Sequence, residues 1–342
     1  MRKLVLSLSA ALAWPMALSW PMAAGAQSLE IKDWQVVCDN TRSCRAAGYS
    51  VEGSTSPVSV LLTRAPSPGG PMLAELQLGV MVDGPGAHPA SVALVIDGKA
   101  AGAIRLSGNN HAVLARPVLA AILKSLAGGG DLAFTAAKTT WRVSGSGAVE
   151  ALQQMDDVQG RTGRPSALVR KGGGNDADVS SPMAAPRMEA THISTIPQPG
   201  DAALAVRVMA SVRSNPACPL LDDGDAQGKA RLWHLDANRL LVTQSCTPGI
   251  GGPAVGYWIA NLLPPYDAKP LTYRGADYDG TGTLSARSVA GAAGDCGSAE
   301  SWTWKGFRFE QTYAASFGLC RGVKAGGASE LPSLVTELIP AN

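Results

Sequence analysis

Apolar residues in this chain fall in short runs of about four to seven, broken repeatedly by Gly, Pro, Asn and Asp. The first clear pattern is Trp34-Gln35-Val36-Val37-Cys38. In a strand, successive side chains point to opposite sides, so Trp34, Val36 and Cys38 share one face. Residues 39–43 have turn chemistry, and Cys44 opens a return strand through Tyr49. The same reading predicts strands over 58–63, 73–78, 91–96 (turning at Asp97-Gly98) and 132–136, with another beginning at Trp141. Two segments change period. Residues 117–126 set Val118, Ile122, Leu123 and Leu126 at helical spacing, with Pro117 suited to a first turn and Gly128 to the end. Residues 147–158 do likewise with Val149, Leu152 and Met155.

Beyond residue 199 the pattern predicts strands over 203–209, 232–235, 239–245, 255–260, 282–288, 301–304 and 307–313. Asp236-Ala237-Asn238 and Lys305-Gly306 read as hairpin turns. Residues 171–198 hold Gly172-Gly173-Gly174 and several prolines with few large apolar side chains, which is a linker composition. Together these features predict a β-rich α+β protein of two domains. Residues 27–170 form a β domain with two short helices, and residues 199–342 an antiparallel β domain.

Charge and hydropathy at the start predict export. Arg2 and Lys3 precede a stretch, 4–18, that is apolar apart from two serines, and Ala24-Gly25-Ala26 offers small side chains for cleavage after Ala26. Residues 1–26 therefore read as a signal peptide, and the remainder as periplasmic or secreted. No later run reaches the ~18 apolar residues of a membrane span. The removed segment takes away two bases and no acid, leaving 27 Lys+Arg (from 29) against 27 Asp+Glu. A neutral chain lacks the field of a nucleic-acid binder.

Six cysteines in an oxidising compartment predict disulfides. They allow fifteen pairings. The sequential one, Cys38–Cys44, Cys218–Cys246 and Cys296–Cys320, is favoured because each cysteine lies near its partner in a hairpin-rich chain. A bridge such as Cys218–Cys246 contributes about 3 kcal/mol by loop entropy, and the short Cys38–Cys44 loop less. The four histidines, His88, His111, His192 and His234, lack metal-ligand spacing, and no Gly-x-Ser-x-Gly elbow or phosphate loop is present. The reading therefore predicts no catalytic residue, no metal site and no cofactor. Asp277 to Thr283 begins like a calcium loop, but Ser288 stands where a bidentate Glu is needed, so a hairpin turn is expected. Two candidates for binding remain. Trp302 and Trp304 share a face, either packed beneath a sheet or forming an aromatic platform for sugar or peptide. Asp295 is the only charged residue in the loops 247–253 and 291–298 beside the second and third disulfides. It is either a contact or a turn residue bonding its own amides.

The segment from Trp34-x-Val36-x-Cys38 through Cys44, Gly79-Val80, Ile96-Asp97-Gly98 and the unit ending at 148–155 resembles the invasion-associated locus B family. That resemblance implies an exported bacterial protein with a β-sandwich-like fold. Over nearly the whole chain, Asp33 to Asn40, Met155 to Arg161, Gly294-Asp295-Cys296-Gly297, Trp302-x-Trp304-x-Gly306-x-x-Phe309 and Cys320-Arg321-Gly322 resemble the exported bacterial family catalogued as domain of unknown function 1176. The chain departs from the usual family pattern at 249–252 and 289–293. The expectation is an exported, non-catalytic binding or envelope-maintenance factor whose partner is an envelope protein or glycan. An inhibitor or accessory of an envelope enzyme such as a wall hydrolase is the alternative, and a hydrolase with an unrecognised site the third reading.

Overall fold

The computed structural model describes residues 27–79, 88–191, 193, 196–227, 229–247, 255–274 and 276–339. The expected signal peptide, Val80, His192 and most of the loop 247–253 lie outside the described residues.

The chain opens with β1 (Gln27–Ile31), β2 (Trp34–Cys38), β3 (Cys44–Tyr49), β4 (Val58–Arg64) and β5 (Met72–Leu78). Next come β6 (Ser91–Ile96), β7 (Lys99–Arg105), β8 (His111–Val113), helix α1 (Arg116–Leu126), β9 (Leu132–Ala136), β10 (Thr139–Val143) and helix α2 (Ala148–Val158). These strands make an antiparallel sheet β1-β2-β3-β4-β5-β8 and a second, β10-β9-β6-β7. Both predicted helices form. Alternation on β2 and β4 turns Trp34, Val36, Val60 and Leu62 into a core shared with Leu94, Phe134, Trp141 and the apolar faces of α1 and α2. Trp34 needs glycine across from it: a Cβ at its register partner Gly48 would overlap the indole. The indole N–H then donates to the Ser144 carbonyl at 2.8 Å.

The second half comprises β11 (Arg187–Glu189), α3 (Asp201–Ala210), the short α4 (Gly224–Gln227), β12 (Arg231–His234), β13 (Arg239–Ser245), β14 (Val255–Asn261) and β15 (Lys269–Thr272). It ends with β16 (Ala276–Tyr278), β17 (Thr283–Ala290), β18 (Cys296–Trp304), β19 (Phe309–Ser316), β20 (Leu331–Leu334) and β21 (Glu337–Ile339). Two antiparallel sheets result, β12-β13-β14-β15 and β16-β17-β18-β19-β20, while β11 pairs in parallel with β21. Leu241 and Tyr257 on one sheet meet Leu284, Trp304 and Phe309 on the other. The opposite face of the first sheet, with Leu240, Val242 and Trp258, packs on α3 and the Cys218–Cys246 bridge.

Residues 203–209, expected as a strand, are helical within α3. The apparent alternation Leu204-Val206-Val208 competes with an Ala-rich composition, and alanine is the best helix former. Ala205, Val208 and Met209 bury at helical spacing, Asp201 sits in the first turn where the helix dipole favours an acid, and Gly200 (φ 91°) supplies the left-handed entry. Several short strands, among them β1, β7, β15 and β20, have no counterpart in the sequence pattern because their alternation is weak. In the segment 171–198, Val179, Met188 and Ile193 are buried, and Met188 lies on β11.

Strand β2 is buried at every position. One face meets the helices. The other, with Val37, Ala47, Tyr49 and Leu61, meets Val323 and Leu331 from the end of the chain. Polar ties run alongside: Asn40 exchanges two hydrogen bonds with the Val335 backbone, and Arg321 pairs with Asp33 at 3.0 Å and Glu52 at 3.1 Å.

Candidate functional site

Three disulfides join Cys38 to Cys44, Cys218 to Cys246 and Cys296 to Cys320. The first closes the β2–β3 hairpin, whose turn is organised by the buried Asp39. Its carboxylate accepts the Thr41 and Ser43 amides and pairs with Arg45. The third ties the start of β18 to the loop after β19. There Asp295 is only 4% exposed, and its Oδ2 accepts the Gly322 amide. Asp295 thus bonds the loop held by the same disulfide, and the Cys320-Arg321-Gly322 segment meets Asp33-Trp34 through Arg321 and Asp33.

Trp302 and Trp304 both face the core between the two C-terminal sheets. Trp304 is fully buried, tilted against Phe309 with centroids 5.3 Å apart, beneath the Arg239 guanidinium at 4.9 Å. Trp302 is half-buried at the rim of the same core. Asp279 accepts the Thr281 and Thr283 amides, so the calcium-like segment is a hairpin turn between β16 and β17. Among the described residues no three His, Cys, Asp or Glu side chains gather as a metal site, and no helix is long and apolar enough to cross a membrane.

The segment Met155 to Arg161 forms a buried polar clamp. Asp156, with no exposed surface, pairs with Arg64 at 2.8 Å through Oδ1 and accepts the Leu168 and Val169 amides through Oδ2. Gln159 donates to the Arg42 and Arg64 carbonyls, and Arg161 donates to Gln159 and Ser166. Burial lowers the pKa of both guanidiniums, opposed by the Asp156 charge. With both oxygens of Asp156 engaged internally, this clamp is architecture.

A recess on the surface lies elsewhere. A cavity of about 310 Å³ is bounded by Ile196, Pro197, the first turn of α3 and residues 230–234. Ala230 and all four residues of β12 line it. Alternation would allow only every second residue on one face, so the cavity wraps the edge of β12, the outermost strand of its sheet. At its polar end His234 Nε2 donates to Asp201 Oδ1 at 2.9 Å, and Asp201 Oδ2 accepts the Gln198 amide at 2.7 Å. These bonds fix the imidazole. Trp233 forms the apolar wall, stacked on Tyr257 and tilted against Tyr278 with centroids 4.9 Å apart. Both phenols are pushed above their ordinary range, chiefly by burial. Arg231 is exposed and has no ion-pair partner among the described residues. None of the described lining residues is Ser, Thr, Cys or Lys, so the His234–Asp201 pair has no nucleophile beside it.

Linear reading did not find this cavity. Asp201 and His234 stand 33 positions apart, and a His at a strand end with an Asp at a helix start carries no motif. The nearest signal was the exposed-edge sequence Arg231-Leu232-Trp233-His234 itself.

Fold and site define a β-rich, disulfide-stapled protein with a small aromatic-walled cavity and no assembled catalytic constellation among the described residues. Residues 28–335 match the family described as protein of unknown function (DUF1176), and the chain belongs to that family. No curated protein and no solved structure matches it.

Proposed function

We propose that this protein is an exported, non-catalytic binding factor of the cell envelope, and that it holds a small ligand with an apolar body and an acidic group in the Trp233 cavity. The basic-then-apolar N-terminal sequence supports export, and three disulfides are compatible with an oxidising compartment. The observation that carries the reading is Arg231, a guanidinium with no ion-pair partner among the described residues, beside an aromatic wall in a recess whose described lining holds no nucleophile. A guanidinium is a planar fork of donors suited to a carboxylate, and the indole face takes the apolar remainder. A volume near 310 Å³ is at the lower end for ligand sites, which limits the occupant to a small molecule.

The test is retention. The immobilised protein is incubated with the small-molecule fraction of an envelope extract, and the eluate is identified by mass spectrometry. A retained carboxylic acid with an aromatic or branched body is the expected result. Arg231→Ala should weaken its binding about tenfold, the scale of one charge-assisted hydrogen bond. Equal retention by Arg231→Ala and Trp233→Ala would show that the cavity is not the site.

A further inference from the structure

Strand β12 is an open edge of its sheet, and the Trp233 cavity lies along it. The Leu235 amide donates to the Arg239 carbonyl at 2.9 Å, so the bonded pairs that follow are Trp233 with Leu241 and Arg231 with Thr243. Leu232 and His234 lie in the intervening pairs, opposite Val242 and Leu240. Their N–H and C=O groups therefore turn away from β13 and out of the edge, and no described residue bonds them. Two backbone donors and two acceptors, in sets about 7 Å apart along the strand, thus border the cavity.

The charges along this edge have a polarity. Arg231 stands at the Leu232 end, exposed and with no ion-pair partner among the described residues. Asp201 stands at the His234 end, where its carboxylate holds the imidazole and the Gln198 amide. The lining also alternates: Arg231 and Trp233 lie on one face of the strand, Leu232 and His234 on the other. A chain laid along the edge presents alternate side chains to both faces, so a two-sided lining suits it.

We infer that the cavity binds the carboxyl-terminal end of an extended peptide, which adds to β12 as an antiparallel strand. This rests on the reading of the cavity as a site for an apolar acid. The terminal residue sits opposite Leu232, bonds both of its backbone groups, and places its carboxylate beside Arg231. The penultimate residue sits opposite Trp233 and lays an apolar side chain on the indole. The residue before it pairs with the His234 backbone. A parallel chain would point its carboxylate at Asp201, a repulsive contact. A simple acid without amides would leave the outward backbone groups to water. At about 310 Å³ the recess takes a chain end and not a long strand.

Isothermal titration with acetyl-Ala-Leu-Ala bearing a free carboxylate tests the inference. Binding is expected, and the carboxamide form should raise Kd about tenfold in the parent but not in Arg231→Ala. Methylation of the peptide nitrogens separates a strand from a simple acid. A methyl on the terminal alanine nitrogen removes the donor to the Leu232 carbonyl and should raise Kd about tenfold or more. The same methyl on the leucine nitrogen, which faces away from β12, should leave Kd within about twofold. Equal effects of the two methyls would overturn strand addition. Equal or tighter binding of 4-methylpentanoate, an apolar acid without amides, would also overturn it while leaving the cavity as an acid site. Binding of neither compound would overturn both. The decisive changes are in the ligand, so a loss of affinity does not report unfolding. Arg231 is exposed, so Arg231→Ala should melt with the parent.

Discussion

Tyr49 has no exposed surface, and its hydroxyl finds no hydrogen-bond partner of good geometry. Gly318, at φ 91°, closes over it so tightly that a Cβ there would overlap the phenol oxygen. Burial pushes this phenol up to about 12 from an ordinary value of 10.0. A raised pKa means that the folded state prefers the protonated form. The resulting stability is complete below pH 10 and is lost as pH climbs toward 12, by roughly 3 kcal/mol. Tyr49→Phe should leave stability at pH 7 unchanged or raise it by up to about 1 kcal/mol, because an unpaired buried hydroxyl disappears. In a series of urea midpoints from pH 9 to 12, its decline should be shallower than the parent's. Part of the decline persists, since burial also raises Tyr278 and Tyr313. An identical alkaline slope in the two proteins would refute this account. At the same scale, sequence named Asp295 as the charged residue of its loop, and the structure assigns its carboxylate to an internal amide.

Helix α2 shows what an element's pattern reveals and what it conceals. Its apolar stripe, Leu152 and Met155, was legible because helical spacing places these residues on one face. Asp156 and Asp157 look alike in sequence, yet one step of about 100° on the helix separates their fates. Asp157 is exposed and bonds Gln153, whereas Asp156 is sealed against Arg64. Removing one member of a buried pair leaves the other charge without a partner, which costs about 3–5 kcal/mol. Asp156→Ala should therefore lower the urea midpoint by that equivalent, whereas Asp157→Ala should shift it by no more than about 0.5 kcal/mol. Comparable effects of the two would remove the clamp from the account. Helix α3 is the opposite case. Its Leu204-Val206-Val208 alternation supported a strand, but the alanine-rich composition together with packing of Ala205, Val208 and Met209 on the next sheet selected the helix.

For the whole molecule, the central observation is that the first sheet has both faces covered. Val37, Ala47, Tyr49 and Leu61 share a cluster with Val323 and Leu331, so residues from opposite ends of the chain complete one core. Parts joined in this way should unfold together. Leu331→Ala should destabilise the protein by about 2–5 kcal/mol, the usual range for a cavity left by a core leucine. Urea unfolding followed by tryptophan fluorescence and by circular dichroism should give coincident single transitions, both moved by this variant. Two separated transitions, with only the later half of the chain responding to Leu331→Ala, would contradict the shared core.

Sequence alone determined the β-rich character, the two helices of the first half, and the hairpin turns at Asp97-Gly98, Asp236 to Asn238 and Lys305-Gly306. These are local properties: alternation, helical period and turn chemistry act over a few residues, and the sequential disulfide pairing follows from short separations in a hairpin-rich chain. Tertiary structure decided the rest. The meeting of Arg321 with Asp33, of Asp156 with Arg64, and of Asp201 with His234 each joins residues separated by tens to hundreds of positions. Linear spacing carries no record of such encounters. The second face of β2 was equally hidden, because alternation tells which side chains share a face and not what will cover it. The Trp233 cavity exists only where elements distant in sequence come to border the same space.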